Sequence, residues 1–176
     1  QTCTLTVNPK GQVNDPPDIE TCNGAAILAY NFVTVNTVGT TTYTWSNSNT
    51  TIGLAAAGTG GLPAFTALNT TNDPVTATIT VIPTFTHQTV GCPGPEQSFT
   101  ITVNPTAQVN DPPDVVRCNG NPVDEIVFGT VRTGGTTTFA WTNSNTNIGL
   151  TAAGTGPIPG FNAANNSAGP ITATIT

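Results

Sequence analysis

Residues 40–60 read TTTYTWSNSNTTIGLAAAGTG, and nearly the same stretch returns at residues 136–156 as TTTFAWTNSNTNIGLTAAGTG. The two copies lie 96 residues apart. Residues 8–80 align with residues 104–176 without a gap and are identical at 43 of 73 positions. Self-similarity at a fixed period is the sequence signature of a repeat architecture. The chain is therefore predicted to contain one structural unit written twice.

The composition favours strands over helices. The 176 residues include 37 Thr, 18 Gly and 15 Pro, whereas only 7% of them are charged. Thr is β-branched and suits a pleated strand, while Gly and Pro interrupt helices and form turns. A content of 36% hydrophobic residues in alternating patterns is more than a disordered segment carries. We therefore predict an all-β fold.

Alternation of apolar and polar residues predicts the individual strands. In residues 40–48, Tyr43 and Trp45 share one face and Thr residues occupy the other. A Trp in the third strand of a repeat of about a hundred residues is the core plug of an immunoglobulin-like sandwich. We predict strands at residues 19–22, 26–35, 40–48, 62–68, 75–85 and 97–104, a short edge strand at 52–56, and core positions for Trp45, Trp141, Tyr43, Phe139, Phe65 and Phe161.

The repeat also predicts the domain boundaries. Residues 9–104 form the first unit, which begins with a stiff, proline-rich linker at residues 10–18, and residues 105–176 form the second. Residues 1–8, QTCTLTVN, match QSFTITVN at residues 97–104. They are predicted to be the last strand of a preceding unit or a strand donated to a neighbour. The second unit stops before its long loop and final strand, and we favour continuation of the chain over donation as the source of that strand.

Charge and residue types argue against several functions. The net charge is −6, and only Lys10, Arg117 and Arg132 could meet phosphates, so nucleic acid is not an expected partner. No apolar run is long enough to span a bilayer. His87 is the only histidine, and no nucleophile or orienting partner recurs with it, so we expect no enzymatic activity.

A longer pattern connects these observations to a known family. The run V-N-P-x-x-x-V-N-x-P-x-D…C-N-G…T-x-T-x-x-W-x-N-S-N-x-x-I-G-L-x-A-x-G-T-G…F-x-A-x-N…P-x-T-A-T-I-T-V resembles the PKD-like repeat of very large surface proteins and gliding-associated adhesins of Bacteroidota. The resemblance covers essentially the whole chain. It implies tandem immunoglobulin-like β-sandwiches, type IX secretion to the cell surface and a structural stalk role. Its expected partners are neighbouring repeats and other surface proteins or glycans.

Two other functions remain open from the sequence. A self-assembling filament subunit would obtain the missing strand of its second unit from another chain. A carbohydrate-binding module would need Trp45 or Tyr43 exposed, because sugars stack on accessible aromatic rings. Core packing is the favoured interpretation of both aromatic residues.

Clustered carboxylates near the linker suggest a calcium site. Oxygen ligands at a junction between domains suit Ca²⁺, which would stiffen it. The favoured alternative is that these residues form turns beside the prolines, and Val116 replaces one acidic residue in the second copy, so no cofactor is firmly expected. The calcium candidates are Asp15, Asp18, Glu20, Asp111 and Asp114.

The four cysteines are Cys3, Cys22, Cys92 and Cys118. Disulfides are the expectation in an exported protein, and the absence of a C-x-x-C spacing argues against zinc. Cys22 could pair with Cys92 inside one unit, although a simple seven-strand topology places them at opposite ends. Alternatively, Cys92 could pair with the Cys-Asn-Gly cysteine of a stacked unit. Both schemes remain open.

Overall fold

The computed structural model describes residues 1–176, and the chain is all-β, as predicted. Its strands form several separate sheets, and the only helical segments are two short 3₁₀ turns. Two compact units are present, residues 1–106 and residues 107–176. The arrangement of sheets is compatible with a β-sandwich.

Unit 1 contains eight strands in two sheets. Six strands form the main sheet in the order β1-β8-β6-β3-β4, and β7 also pairs with β6. All of these pairs are antiparallel except β1 with β8, which run parallel. The strands are β1 (Ile19–Cys22), β2 (Ala26–Ile27), β3 (Thr40–Asn47), β4 (Ala57–Thr59), β5 (Phe65–Thr66), β6 (Val75–His87), β7 (Val90–Pro93) and β8 (Gln97–Asn104).

The long strands form because Thr alternates with apolar residues. In β6, Ala77, Ile79 and Val81 are fully buried, while Thr76 and Thr78 point to solvent. A period of two places such residues on opposite faces of a strand. The outer face is held together by cross-strand hydroxyl contacts, and the inner faces of β3, β6 and β8 supply seven of the fourteen buried residues of the core.

The second sheet of unit 1 is small. β2 pairs with β5, with Ile27 opposite Phe65, and a bridge between Tyr30 and Leu62 continues the same register. Phe32 lies against this sheet and contacts the main sheet, because its ring centroid is 5.5 Å from that of Tyr43. Apolar residues from both sheets therefore share one core.

Unit 2 repeats these pairings with both partners advanced by 96 residues. Trp45 lies opposite Gly58 in unit 1, and Trp141 lies opposite Gly154 in unit 2. The other pairs and the bridges, including Asn143 with Ile175, follow the same rule. The strands of unit 2 are β9 (Pro122–Val123), β10 (Ala140–Thr142), β11 (Ala153–Thr155) and β12 (Phe161–Asn162).

Several predicted strands differ from the structure. The predicted strands at residues 26–35 and 62–68 shrink to β2 and β5 because only a few of their residues find backbone partners. The predicted edge strand at residues 52–56 is wrong. Thr50–Ile52 instead forms a 3₁₀ turn, since the Asn49 side chain accepts the Thr51 N–H and Gly53 adopts a φ of 94°.

The predicted connections also need correction. Residues 10–18 are not a free linker: Val13 is 4% exposed within the core, and the Gly11 N–H donates to the Cys92 carbonyl at 2.9 Å. The predicted long loop is a hairpin in which β7 turns back onto β6, with Cys92 opposite Phe85. Residues 1–8 form no strand in this structure, and pairing outside the chain stays a prediction.

Candidate functional site

The parallel pair of β1 and β8 brings the two ends of unit 1 side by side. Ile19 lies opposite Ile101 and Cys22 lies opposite Asn104, which gives four aligned residue pairs. Ile101 is fully buried and anchors β8 to the core, and Ile19 packs against the same cluster. The first strand of unit 1, β1, is therefore held in place mainly by the last strand, β8.

Two acidic side chains strengthen this pair. Asp18 Oδ1 accepts a hydrogen bond of 2.7 Å from the Thr100 backbone N–H, and Glu20 Oε1 accepts one of 2.9 Å from the Asn104 side-chain amide. The Thr100 N–H, followed by the Thr100 hydroxyl, holds the pKa of Asp18 below its ordinary value because both bonds favour the carboxylate. These carboxylates act as hydrogen-bond acceptors for β8.

A buried asparagine joins three segments at the end of unit 1 where β1 and β8 finish. Asn69 is 5% exposed, and its side-chain Nδ2 donates to the carbonyls of Val103 at 2.6 Å and Asp73 at 2.8 Å. Its backbone N–H donates to Asn23 Oδ1 at 2.8 Å, and the Asn23 N–H donates to the Asn104 carbonyl at 2.8 Å. The turn after β1, the loop before β6 and the end of β8 are thus joined.

The structure does not assemble the predicted calcium candidates into a metal site. No three or more His, Cys, Asp or Glu side chains converge where an ion could bind. Asp18 and Glu20 instead bind β8, as described above. The remaining candidates, Asp15, Asp111 and Asp114, are exposed.

All four cysteines are free thiols, so the predicted disulfides are not formed. The register makes a bond between Cys22 and Cys92 impossible in this fold. Cys22 lies beside the end of β8 that pairs with Val75, whereas Cys92 lies opposite Phe85. Ten residues of strand separate those positions by roughly 33 Å, whereas a disulfide requires Cα atoms within about 7 Å. Cys3 and Cys118 are exposed, and a link between units stays a prediction.

The predicted core aromatic residues lie in or against the two cores. Trp45 and Trp141 are 5% and 4% exposed, and a Cβ at Gly58 or Gly154 would overlap the respective indole. Each indole Nε1 is buried without a hydrogen-bond partner. Tyr43, Phe65 and Phe161 pack against the clusters as half-buried residues, and Phe139 lies 5.6 Å from Phe128 between ring centroids.

Sequence reasoning missed one pair of buried polar residues. Asn47 is 8% exposed, its Nδ2 donates to the carbonyls of Leu54 and Ala55 at 3.0 and 3.3 Å, and its Oδ1 accepts the Asn49 N–H at 2.9 Å. Asn143 makes the equivalent three bonds in unit 2. The available signal was the Asn-Ser-Asn sequence, which recurs at residues 47–49 and 143–145, but the sequence does not show that its first side chain is buried. The two asparagines hold the loops that follow β3 and β10 in place.

Neither a scan against protein-family models nor a search of curated proteins finds a match for this chain. The structure contains no helix that is long and apolar enough to cross a membrane.

Proposed function

We propose that this chain belongs to the noncatalytic stalk of an extracellular filament or adhesin on a bacterial surface, built from tandem immunoglobulin-like repeats of the PKD-like kind. The resemblance described above motivates this proposal. The observation that carries it is the parallel pairing of β1 with β8. Neighbouring repeats are the primary partners, with other surface proteins or glycans at the ends of the array.

The β1–β8 pair is suited to carrying tension. The chain runs into unit 1 before β1 and leaves it after β8, and the two strands point in the same direction. A pull on the two flanking segments therefore moves the strands in opposite directions along their axes. All four residue pairs are loaded together, in shear, whereas a hairpin pulled from its open end loses its pairs one at a time.

Side chains beside the β1–β8 pair add to its resistance to pulling. The bonds from Asp18 to Thr100 and from Glu20 to Asn104 cross between β1 and β8, so they are loaded with the ladder. Charged acceptors make stronger hydrogen bonds than neutral ones. The stalk role is thus supported by contacts that join the two ends of the unit.

The surface also suits a spacer. Thr42 and Thr44 of β3 and Thr76 and Thr78 of β6 are exposed, and their hydroxyls cover the outer face of the main sheet. With 7% charged residues in the chain, this face is hydrated chiefly through neutral groups. The buried indoles of Trp45 and Trp141 do not favour the alternative of a carbohydrate-binding module.

Force spectroscopy on the whole chain, pulled through its two termini, tests the proposal. We expect unit 1 to open in one abrupt event, and we expect Asp18→Ala to lower the force of that event because it removes the bond to Thr100. Asp15→Ala is the matched control, since Asp15 is an exposed carboxylate three residues earlier in the chain. Gradual opening of unit 1 at low force would contradict a stalk role. Equal forces for the two variants would show that the Asp18 bond carries no load.

A further inference from the structure

The segment between β2 and β3 exposes aliphatic side chains that unit 1 does not use in its own core. Phe32 is buried, whereas the next residue, Val33, is exposed, so successive side chains point to opposite sides of the segment. The Asn14 N–H donates to the Val33 carbonyl at 2.9 Å and holds the segment in place. We call the exposed aliphatic residues of this segment the aliphatic face of unit 1. They are Leu28, Val33, Val35 and Val38, with exposed fractions of 80%, 53%, 70% and 84%.

Unit 2 has the same backbone contacts at this place with different side chains. Its segment makes the equivalent bridge and the equivalent hydrogen bond to the carbonyl of Gly129. Gly129 stands where unit 1 has Val33, and Asp124 stands where unit 1 has Leu28. The fold therefore accepts a glycine or a carboxylate at these positions and does not require aliphatic residues. The other exposed residues on this segment of unit 2 are Glu125, Val127, Gly129 and Val131.

Val38 keeps its exposed side chain at a conformational cost. Its φ is 61°, and left-handed backbone is an outlier for a β-branched residue. The equivalent residue of unit 2 is Gly134, whose φ of 71° is a conformation that glycine adopts readily. Because the Val38 side chain is almost fully exposed, packing inside unit 1 does not offset this strain. A strained residue of this kind points to a contact outside the chain.

We propose that the aliphatic face of unit 1 binds the same face of a second copy of this chain, so that two copies form a symmetric dimer. A symmetric contact requires a surface that is complementary to itself. The aliphatic face meets this condition because it contains no charged residue, so it can bury against itself although each copy carries a net charge of −6. The corresponding side of unit 2 is a poor partner, because the carboxylates of Asp124 and Glu125 would be buried there without a cation.

The area suits a weak but specific dimer. A fully exposed Val or Leu side chain offers roughly 100 Å² of apolar area for burial. At their exposed fractions, the four side chains offer roughly 300 Å² in each copy and roughly 600 Å² in the dimer. Interfaces between soluble proteins are about 57% apolar, so the whole contact would bury roughly 1,000 Å², the size at which specific interfaces begin. We therefore expect a dimer that forms reversibly as the concentration rises.

Dimerisation through this face goes beyond the stalk role, since it would join two stalks side by side. The stalk role does not require it, because the resistance of the β1–β8 pair to pulling is a property of a single chain. A monomeric chain would overturn the dimer and leave the stalk proposal intact. Gradual opening of unit 1 under force would have the opposite effect.

Sedimentation velocity over a wide concentration range tests the dimer. We expect the native chain to pass from monomer to dimer, and Leu28→Asp to stay monomeric because its dimer would bury two unpaired carboxylates. Thr44→Asp is the control, since it adds the same charge to the exposed outer face of the main sheet, and it should dimerise like the native chain. Unit 2 carries Asp124 at the position of Leu28, so the fold accepts the substitution. A native chain that stays monomeric, species larger than a dimer, or equal behaviour of the two variants overturns the proposal.

Val38→Gly separates association from folding. This variant takes the residue of unit 2, which adopts a positive φ without strain, so the urea midpoint of unit 1 should not fall. It also removes the most exposed side chain of the aliphatic face. We therefore expect the transition from monomer to dimer to shift to higher concentration. An unchanged transition contradicts the proposal.

Crosslinking tests the place of the contact in a background in which all four natural cysteines are replaced by Ser. Ala29→Cys places the one thiol of each copy beside Leu28, on the exposed segment between β2 and β3. A short bismaleimide should link two such copies in high yield at concentrations that favour the dimer. Thr44→Cys is the control on the main sheet and should give a low yield. Equal yields from the two variants, or a low yield from Ala29→Cys, overturn the proposal.

Discussion

Trp45 and Gly58 show how one missing side chain determines the packing of a large one. Gly58 lies opposite Trp45 in the β3–β4 pair, and the indole covers the space that a Cβ would fill. Trp141 and Gly154 make the same contact in unit 2. The first Gly of the recurrent Gly-Thr-Gly is therefore required by the packing of the indole.

Substitution of Gly58 should destabilise unit 1. We expect Gly58→Ala to lower the free energy of unfolding by about 1–3 kcal/mol, the usual cost of overpacking a core. Urea denaturation followed by Trp fluorescence measures the change. Gly91→Ala serves as the control because a Cβ there meets Thr84 at 3.5 Å and Thr86 at 3.7 Å, both ordinary contact distances. An unchanged urea midpoint in Gly58→Ala would mean that the Trp45 indole can move to make room for the added Cβ.

Asn47 offers a second test at the scale of one residue. Asn47→Asp keeps an oxygen for the Asn49 N–H but removes the amide that donates to Leu54 and Ala55. A buried acceptor left without its donor costs about 1–3 kcal/mol. We expect a loss of that size in urea denaturation. The exposed Asn31 provides the control substitution, Asn31→Asp, and equal losses in the two variants would contradict the bracing role.

Among the elements, β1 depends on a strand far along the chain. Its backbone pairs only with β8, and its flanking Asp18 bonds to a residue 82 positions later. Such an element has little local stability of its own. The Asp18 carboxylate, which accepts the Thr100 N–H, should therefore make the pair sensitive to pH.

Acid should weaken the β1–β8 pair through Asp18. The folded-state pKa of Asp18 lies below its ordinary value of 3.8, so the carboxylate contributes stability that is present above that value and is lost as pH falls through the folded pKa. We expect the native chain to lose more stability than Asp18→Asn between neutral pH and pH 3. Asp15→Asn is the control and should follow the native chain. The urea midpoint as a function of pH measures the difference.

How well each element could be predicted from the sequence depended on whether neighbouring residues alone determine it. The bounds of β1 and β8 were predicted correctly because the Asn23-Gly24 turn ends the first strand and Thr alternates with apolar residues in the second. The 3₁₀ turn at Thr50–Ile52 was missed because the capping by Asn49 and Gly53 competes with an apolar run that suggests a strand. The parallel pairing of β1 with β8 was not predicted either, since strand order is a tertiary property that alternation does not encode.

At the scale of the whole molecule, the two units differ greatly in their cores. Fourteen buried apolar residues form one cluster in unit 1, whereas three form the cluster of unit 2. Hydrophobic stabilisation scales with the apolar area removed from water, and small cores are marginal. Within residues 1–176, the buried apolar cluster of unit 1 is therefore much the larger of the two.

The two units should unfold separately. Trp141→Phe leaves Trp45 to report unit 1, and Trp45→Phe leaves Trp141 to report unit 2. In the 176-residue chain we expect the Trp141 signal to change at a clearly lower urea concentration than the Trp45 signal, because the buried cluster around Trp141 is smaller. Coincident transitions would show that the units unfold as one. Differential scanning calorimetry of the native chain, with two resolved transitions, provides a check without substitution.

The bond between Asp18 and Thr100 also determines when unit 1 can finish folding during synthesis. Because β1 finds its partner only after 82 further residues have been made, a growing polypeptide cannot complete unit 1 until β8 has left the ribosome. Pairings of such high contact order form slowly, in milliseconds to seconds. Unit 1 is thus delayed by its own topology, because β1 cannot pair until the last strand of the unit has been synthesised.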